Sequence, residues 1–265
     1  MFKSRHFPYM SGLLFFVFSM AAHAQPQEKI LQKHILNTQQ QTQFCRQFES
    51  FCIDGKVSRF FKVKNQKTQF YAIHALKLAE IQQDAQGFEL INQWNFSTYQ
   101  PRTQSARWAM SEQSDDDKQL SIFPKLFPIN AQDYAVGIVQ KWQEGYSGGG
   151  MNEEVVDFLQ LKEKGQYQQV FQNIPLSMYR MIRACFSEED YQQSNDKCHD
   201  EYTLDTQISY VKPYTWRVKY HYQADYSPTS DSGTGSVNQQ ETYLLKENHA
   251  DAIQLPDAWN QFFLR

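Results

Sequence analysis

The stretch Thr215-Trp216-Arg217-Val218-Lys219-Tyr220-His221-Tyr222-Gln223 alternates without a break. Successive side chains of a β-strand point to opposite faces. Trp216, Val218, Tyr220 and Tyr222 therefore share one face, and Arg217, Lys219 and His221 share the other. Large, mostly apolar groups on one side and basic or polar ones opposite describe a half-buried strand of an antiparallel sheet. An aromatic face can also bind a ligand, but lining a core is its commoner use and the expectation here.

The same texture extends outward from this strand. Ile208 and Tyr210 begin a similar alternation before it. After it, residues 227–238 are rich in Ser, Gly and Thr and read as a long mobile loop. Short strands at 241–245 and 253–255 follow, then Pro256 and a short C-terminal helix. Further back, 57–63 and 70–78 flank Asn65-Gln66-Lys67 as a hairpin, and Gly87 opens a strand at 88–96. Another strand is expected at 107–110. Residues 134–142 and 155–161 lie around Ser147-Gly148-Gly149-Gly150, and Gly165 turns the chain into 167–171.

Helical spacing is confined to two places. Leu31, Ile35 and Leu36, then Phe44, Phe48, Phe51 and Cys52, suggest helix from 25 to about 50. Leu176, Tyr179, Ile182 and Phe186 suggest a short helix within 175–185. Half-buried strands with short turns and few crossover helices predict a mainly β fold. We expect an antiparallel sandwich or meander with an N-terminal helix and one or two short helices. No repeat of fixed period occurs. Residues 25–265 read as a single β-rich domain, with a possible subdivision near 111–118.

The first 24 residues have a different character. Lys3, Arg5 and His6 precede an apolar run over 13–20, and Ala22-His23-Ala24 closes it. This is the order of a cleavable secretory signal, whose peptidase admits only small side chains at −3 and −1. Eight apolar residues, even extended by Ala21 and Ala22, fall well short of the ~20 that span a bilayer. Cleavage after Ala24 would remove Lys3 and Arg5 from 26 basic residues, leaving 24 against 29 acidic ones, a net charge near −5. That balance carries no electrostatic footprint for nucleic acid and no polybasic membrane patch. No membrane insertion is expected after signal cleavage, and the location expected is periplasmic or secreted.

Four cysteines remain, Cys45, Cys52, Cys185 and Cys198. An even number in an exported chain predicts two disulfides, with the local pairs Cys45–Cys52 and Cys185–Cys198 preferred. In one continuous helix, residues seven apart would sit ~10.5 Å from each other. A disulfide tolerates about 7 Å at most. Either the helix breaks near Phe48 or these two cysteines are not partners; the break is expected, since Asp54-Gly55 signals a turn just beyond. Neither a CxxC nor closely spaced histidines point to zinc. Asp115-Asp116-Asp117 lacks the spaced ligands and distal glutamate of a calcium loop, so no metal or cofactor is implied.

One catalytic pattern is present, Gly145-Tyr146-Ser147-Gly148-Gly149, which fits G-x-S-x-G. In α/β-hydrolases that pattern is a strand-turn-helix elbow presenting a nucleophilic serine, followed in the chain by an acid and a histidine. Asp225 and His249 stand downstream in that order. Against the elbow, the preceding segment ends in polar Lys141-Trp142-Gln143-Glu144, and three glycines delay any helix. A glycine-rich hairpin connection is the expectation instead. Cys198-His199-Asp200-Glu201 suggests a His–carboxylate pair, yet neighbours in a strand point apart, and a structural turn is expected. The reading adopted is an exported, non-enzymatic binding protein, an inhibitor or immunity-type protein acting on a protein partner. The alternative is a serine hydrolase of α/β-hydrolase type using Ser147, Asp225 and His249.

Overall fold

The computed structural model describes residues 25–101 and 119–246, which are mainly β. The signal segment, the strand expected at 107–110, the aspartates 115–117, His249, the strand at 253–255 and the C-terminal helix lie outside the described residues. The strands are β1 (Lys29–Lys33), β2 (Cys52–Ile53), β3 (Lys56–Val57), β4 (Arg59–Val63), β5 (Gln69–His74), β6 (Lys77–Gln83) and β7 (Phe88–Asn95). They continue with β8 (Gln119–Pro128), β9 (Tyr134–Tyr146), β10 (Gly149–Leu161), β11 (Tyr167–Arg183), β12 (His199–Lys212), β13 (Thr215–Asp225) and β14 (Ser236–Lys246). The α-helices are α1 (Thr38–Gln47) and α2 (Glu188–Ser194).

Twelve strands form one antiparallel sheet in the order β14-β13-β12-β11-β10-β9-β8-β1-β4-β5-β6-β7. The expected meander is thus present twice, as β4–β7 and as β8–β14, with β1 joining the two runs. β2 and β3 make a separate small hairpin.

The stretch that suggested the fold sits at the centre of the largest core. Trp216 is wholly buried among Phe127, Phe158 and Phe171, and its indole N–H donates to the Pro128 carbonyl at 2.8 Å. Val218, Tyr220 and Tyr222 are buried on the same face of β13. The Tyr214 N–H also reaches the Ile129 carbonyl at 2.9 Å, so the β12–β13 turn closes over the β8–β9 turn. β8 to β10 are apolar on both sides. Phe127, Val139, Val156 and Phe158 join the Trp216 core, while Ile122, Val136, Ile138 and Leu159 join a second core with Tyr71, Ile73, Leu78 and Trp94 of the first run. The other face of that first run packs under α1 in a third core.

Several local expectations are corrected. Residues 25–50 are not one helical region, because Leu31 lies in β1, whose neighbours β4 and β8 capture its backbone hydrogen bonds. α1 is shorter, opened by an Asn37–Gln40 capping box, and it breaks at Phe48 as the disulfide geometry required. The run at 70–78 is two strands, since Ala75 takes φ 47° in the turn between β5 and β6.

The helix expected within 175–185 is the second half of β11. Only Leu176 falls at a register shift, opposite Glu154 and Val155; Tyr179 and Ile182 lie in a stretch that pairs with β10 and β12 without a break, on opposite faces of the strand, so their three-residue spacing is not that of a helix. Asn173, at φ 57°, lies at a second shift, opposite Val156 and Phe158. Its N–H donates to the buried Asp157 carboxylate at 2.7 Å, and the Tyr99 hydroxyl donates to the other oxygen at 2.9 Å. Burial pushes the Asp157 pKa up, against the pull of these two donors.

Candidate docking site

β10 begins, β11 ends, β12 begins, β13 ends and β14 begins at one end of the sheet. Three connections meet there. The Ser147-Gly148 turn joins β9 to β10, the Cys185–Cys198 segment joins β11 to β12, and residues 226–235 join β13 to β14. The Arg183 N–H donates to the Gly148 carbonyl at 2.6 Å, which ties the first connection to the second.

The second connection is closed by the disulfide Cys185–Cys198, with Cα atoms 5.0 Å apart. Inside it Ser187 and Asp190 form a capping box that starts α2, and Asn195 ends the helix in the left-handed region at φ 52°. The Asp190 carboxylate accepts from the N–H groups of Phe186 and Ser187, both at 2.8 Å. Those backbone donors, with the Ser187 hydroxyl, hold its pKa below the usual carboxylate value. The Arg183 guanidinium lies over the Phe186 ring at 5.4 Å, donates to the Cys185 carbonyl at 2.6 Å and to the Tyr191 hydroxyl at 3.0 Å. The Phe186 backbone is thus anchored beside the disulfide, while its ring, in contact with Arg183, is left 75% exposed, with Tyr191 of the same segment at 44%. Glu188, Glu189, Asp190 and Asp196 make the same segment acidic.

The third connection is not the mobile loop expected over 227–238. It ends at Gly235, and its first half is pinned to the disulfide segment. Buried Asp200 accepts from the Ser227 N–H at 2.8 Å and the Ser230 hydroxyl at 2.6 Å. The Ser227 hydroxyl donates to the Lys197 carbonyl at 2.6 Å, and the Thr229 hydroxyl donates to the Ala184 carbonyl at 3.2 Å. Burial and the nearby Asp200 carboxylate push the Tyr202 phenol up to about 12, so Tyr202 is a neutral wall of this corner.

The tetrapeptide 198–201 is correspondingly not a turn. Its last three residues open β12, and Asp200 anchors a neighbouring connection rather than pairing with His199.

Ser147 and Asp225 both occur at this end of the sheet, but in separate settings. Ser147 occupies a two-residue turn, with Gly149 opposite Tyr146, and a strand follows it rather than a helix. A Cβ at Gly145 would meet nothing within 4 Å, so no elbow crowding explains that glycine. β11 and β12 separate β10 from the Asp225 strand, a span of ~14 Å at the usual strand spacing. Asp225 is held by Lys197 at 2.5 Å and the Ser236 hydroxyl at 2.8 Å, which keep its pKa low. This arrangement does not favour a hydrolase.

Sequence reasoning passed over Arg183, Phe186 and Tyr191 as functional residues. The Ser187-x-x-Asp190 box was the legible sign of a capped helix inside the disulfide. Among the described residues, no three His, Cys, Asp or Glu side chains converge to hold a metal ion. No helix of the described residues is long and apolar enough to cross a membrane.

Fold and site together define a mainly β, antiparallel, disulfide-bonded protein whose connections at one end present exposed aromatic and acidic side chains. No protein-family model, curated protein or solved structure matches the chain.

Proposed function

We propose that this is an exported, non-enzymatic binding protein that engages a protein partner through the Cys185–Cys198 segment. The observation that carries the reading is Phe186, an exposed aromatic ring on a backbone anchored by Asp190 and the neighbouring disulfide. Interfaces concentrate their energy in aromatic and arginine side chains that enter pockets on the partner. Anchoring the segment's backbone before binding reduces the ordering entropy that association otherwise loses. The acidic residues around it match a basic surface and would steer its approach. Export is supported by the signal pattern of residues 1–24 together with two disulfides, which persist in oxidising compartments. An inhibitor or immunity-type role, blocking a basic enzyme or toxin, is the form of binding these features suit.

The test compares resins carrying the wild-type protein, Phe186→Ala and Tyr179→Ala, each exposed to the extracytoplasmic fraction of its host. A partner held by wild type and Tyr179→Ala, but at least tenfold depleted on Phe186→Ala, is the expected result. Equal retention on all three would place binding elsewhere. Labelling of Ser147 by a fluorophosphonate probe would replace binding with hydrolysis.

A further inference from the structure

Cleavage after Ala24 would make Gln25 the first residue of the exported chain. A glutamine in that position carries both partners of a condensation. Its α-amine, with an ordinary pKa of about 8, is partly unprotonated at neutral pH and so can act as a nucleophile. Its own side-chain amide is the electrophile, and attack closes a five-membered ring. Partners joined within one residue react as if at very high concentration.

We infer that Gln25 becomes a pyroglutamate and that this cap guards β1; the inference rests on the export reading. The α-nitrogen bonds to the side-chain carbonyl carbon, and the bond from that carbon to the amide nitrogen breaks. The amide nitrogen takes a proton from the amine and leaves as ammonia, so no oxidant or co-reactant is consumed. Three observations at Gln25 favour the step. The residue is exposed. Its amide is engaged by the Val211 carbonyl alone, at 3.5 Å, longer than an ordinary hydrogen bond. Residues 25–28 precede the first strand, so no ladder bond fixes the backbone beside the amine.

What the cap protects follows from the topology. Pro26, Gln27 and Glu28 are all that separate Gln25 from Lys29, where β1 begins. β1 stands between β8 and β4, and through it the two meanders form one sheet. On the β8 side it pairs through Lys29↔Leu126 and Ile30↔Lys125, and Glu28 meets the Lys125 ammonium at 2.5 Å. An aminopeptidase working inward would remove that ion pair first and then the residues of the junction. Such enzymes bind a free α-ammonium group, which the lactam removes. Pro26 resists most of them as well, because its bond to Gln25 is a tertiary amide without an N–H. Peptidases specific for X–Pro bonds are therefore the ones the cap must exclude.

Intact-mass measurement of the protein from the extracytoplasmic fraction should give a chain that starts at Gln25 and is lighter than its sequence by one ammonia. Gln25→Ala should be processed at the same site and keep its full mass. An X–Pro aminopeptidase should shorten Gln25→Ala and leave the wild type intact. Adding a broad-specificity aminopeptidase should carry the trimming of the variant through Glu28 and lower its midpoint of denaturant unfolding, with the wild type unchanged. A wild-type chain that starts at Gln25 and keeps its ammonia after days at neutral pH overturns the inference and leaves export standing. A chain that still carries residues 1–24 overturns the export reading and the inference with it. Equal trimming of wild type and variant overturns the cap, and loss of Glu28 without a lower midpoint overturns the guarding of β1.

Discussion

The two disulfides join cysteines 7 and 13 positions apart and put the segments they close to opposite uses. Cys45–Cys52 turns the chain from α1 into a 3-10 turn and the β2–β3 hairpin, with Cα atoms 5.9 Å apart. What it secures points inward. Phe44 and Phe51 are fully buried, and Phe44 packs edge-on against Phe60 and Phe88. Cys185–Cys198 secures a segment that points outward, with Phe186 and Tyr191 in solvent. The contrast separates two meanings of rigidity. A constrained segment that buries its aromatics completes a core, whereas one that exposes them has fixed a shape the fold does not need.

The largest expected effect tests the inward segment. Phe44→Ala leaves a cavity under α1 and should cost about 3–5 kcal/mol in denaturant unfolding. A loss below about 1 kcal/mol would show that α1 contributes little to the fold. Next come the bonds themselves. In the loop-entropy model, replacing Cys45 and Cys52 by Ala costs about 2.5 kcal/mol, and replacing Cys185 and Cys198 costs about 3 kcal/mol. Hydrogen exchange should separate two nearly equal numbers. The first pair should loosen α1 and the third core; the second should loosen only α2 and residues 226–235. Identical exchange patterns in the two variants would erase the distinction between the two segments.

A smaller effect is local and depends on pH. The folded pKa of Asp190 lies below its ordinary 3.8, so the cap is fully formed above that value. Its contribution is lost as the pH falls through the lower folded value. Tyr191 and Phe186 resonances should therefore shift below about pH 3.8, and in Asp190→Asn that titration should vanish. The smallest effect on stability belongs to Phe186→Ala, which should change unfolding by less than about 0.5 kcal/mol, as an exposed side chain does. A loss above about 2 kcal/mol would mean that the ring belongs to the core after all.

Much of the architecture was legible in the residues. Alternation over 215–223 placed Trp216 and Tyr220 in a core, and the distance a disulfide tolerates demanded the break at Phe48. Local pairing of the cysteines was the preferred expectation, and both bonds are present. The failures share one cause. Leu31 and Leu176 were read by spacing along the chain, but the strands that hold them are set by partners far away in sequence, Val63 of β4 for Leu31 and β12 for β11.

The same division runs through the site. Composition and periodicity are local, so they were enough for the β class, for two disulfides and for a serine in a glycine-rich turn. Exposure is not local. Phe186 falls at helical spacing with Leu176, Tyr179 and Ile182, and nothing in that pattern says that it faces water. Its position follows from Arg183 on β11, Cys198 beside β12 and Asp190 on α2 acting together. Ser147 and Asp225 could be aligned in chain order by inspection, yet their separation depends on how many strands lie between them. Chain order constrains neighbours a few residues apart, whereas a site is assembled by hydrogen bonds across strands, and those exist only once the sheet has formed.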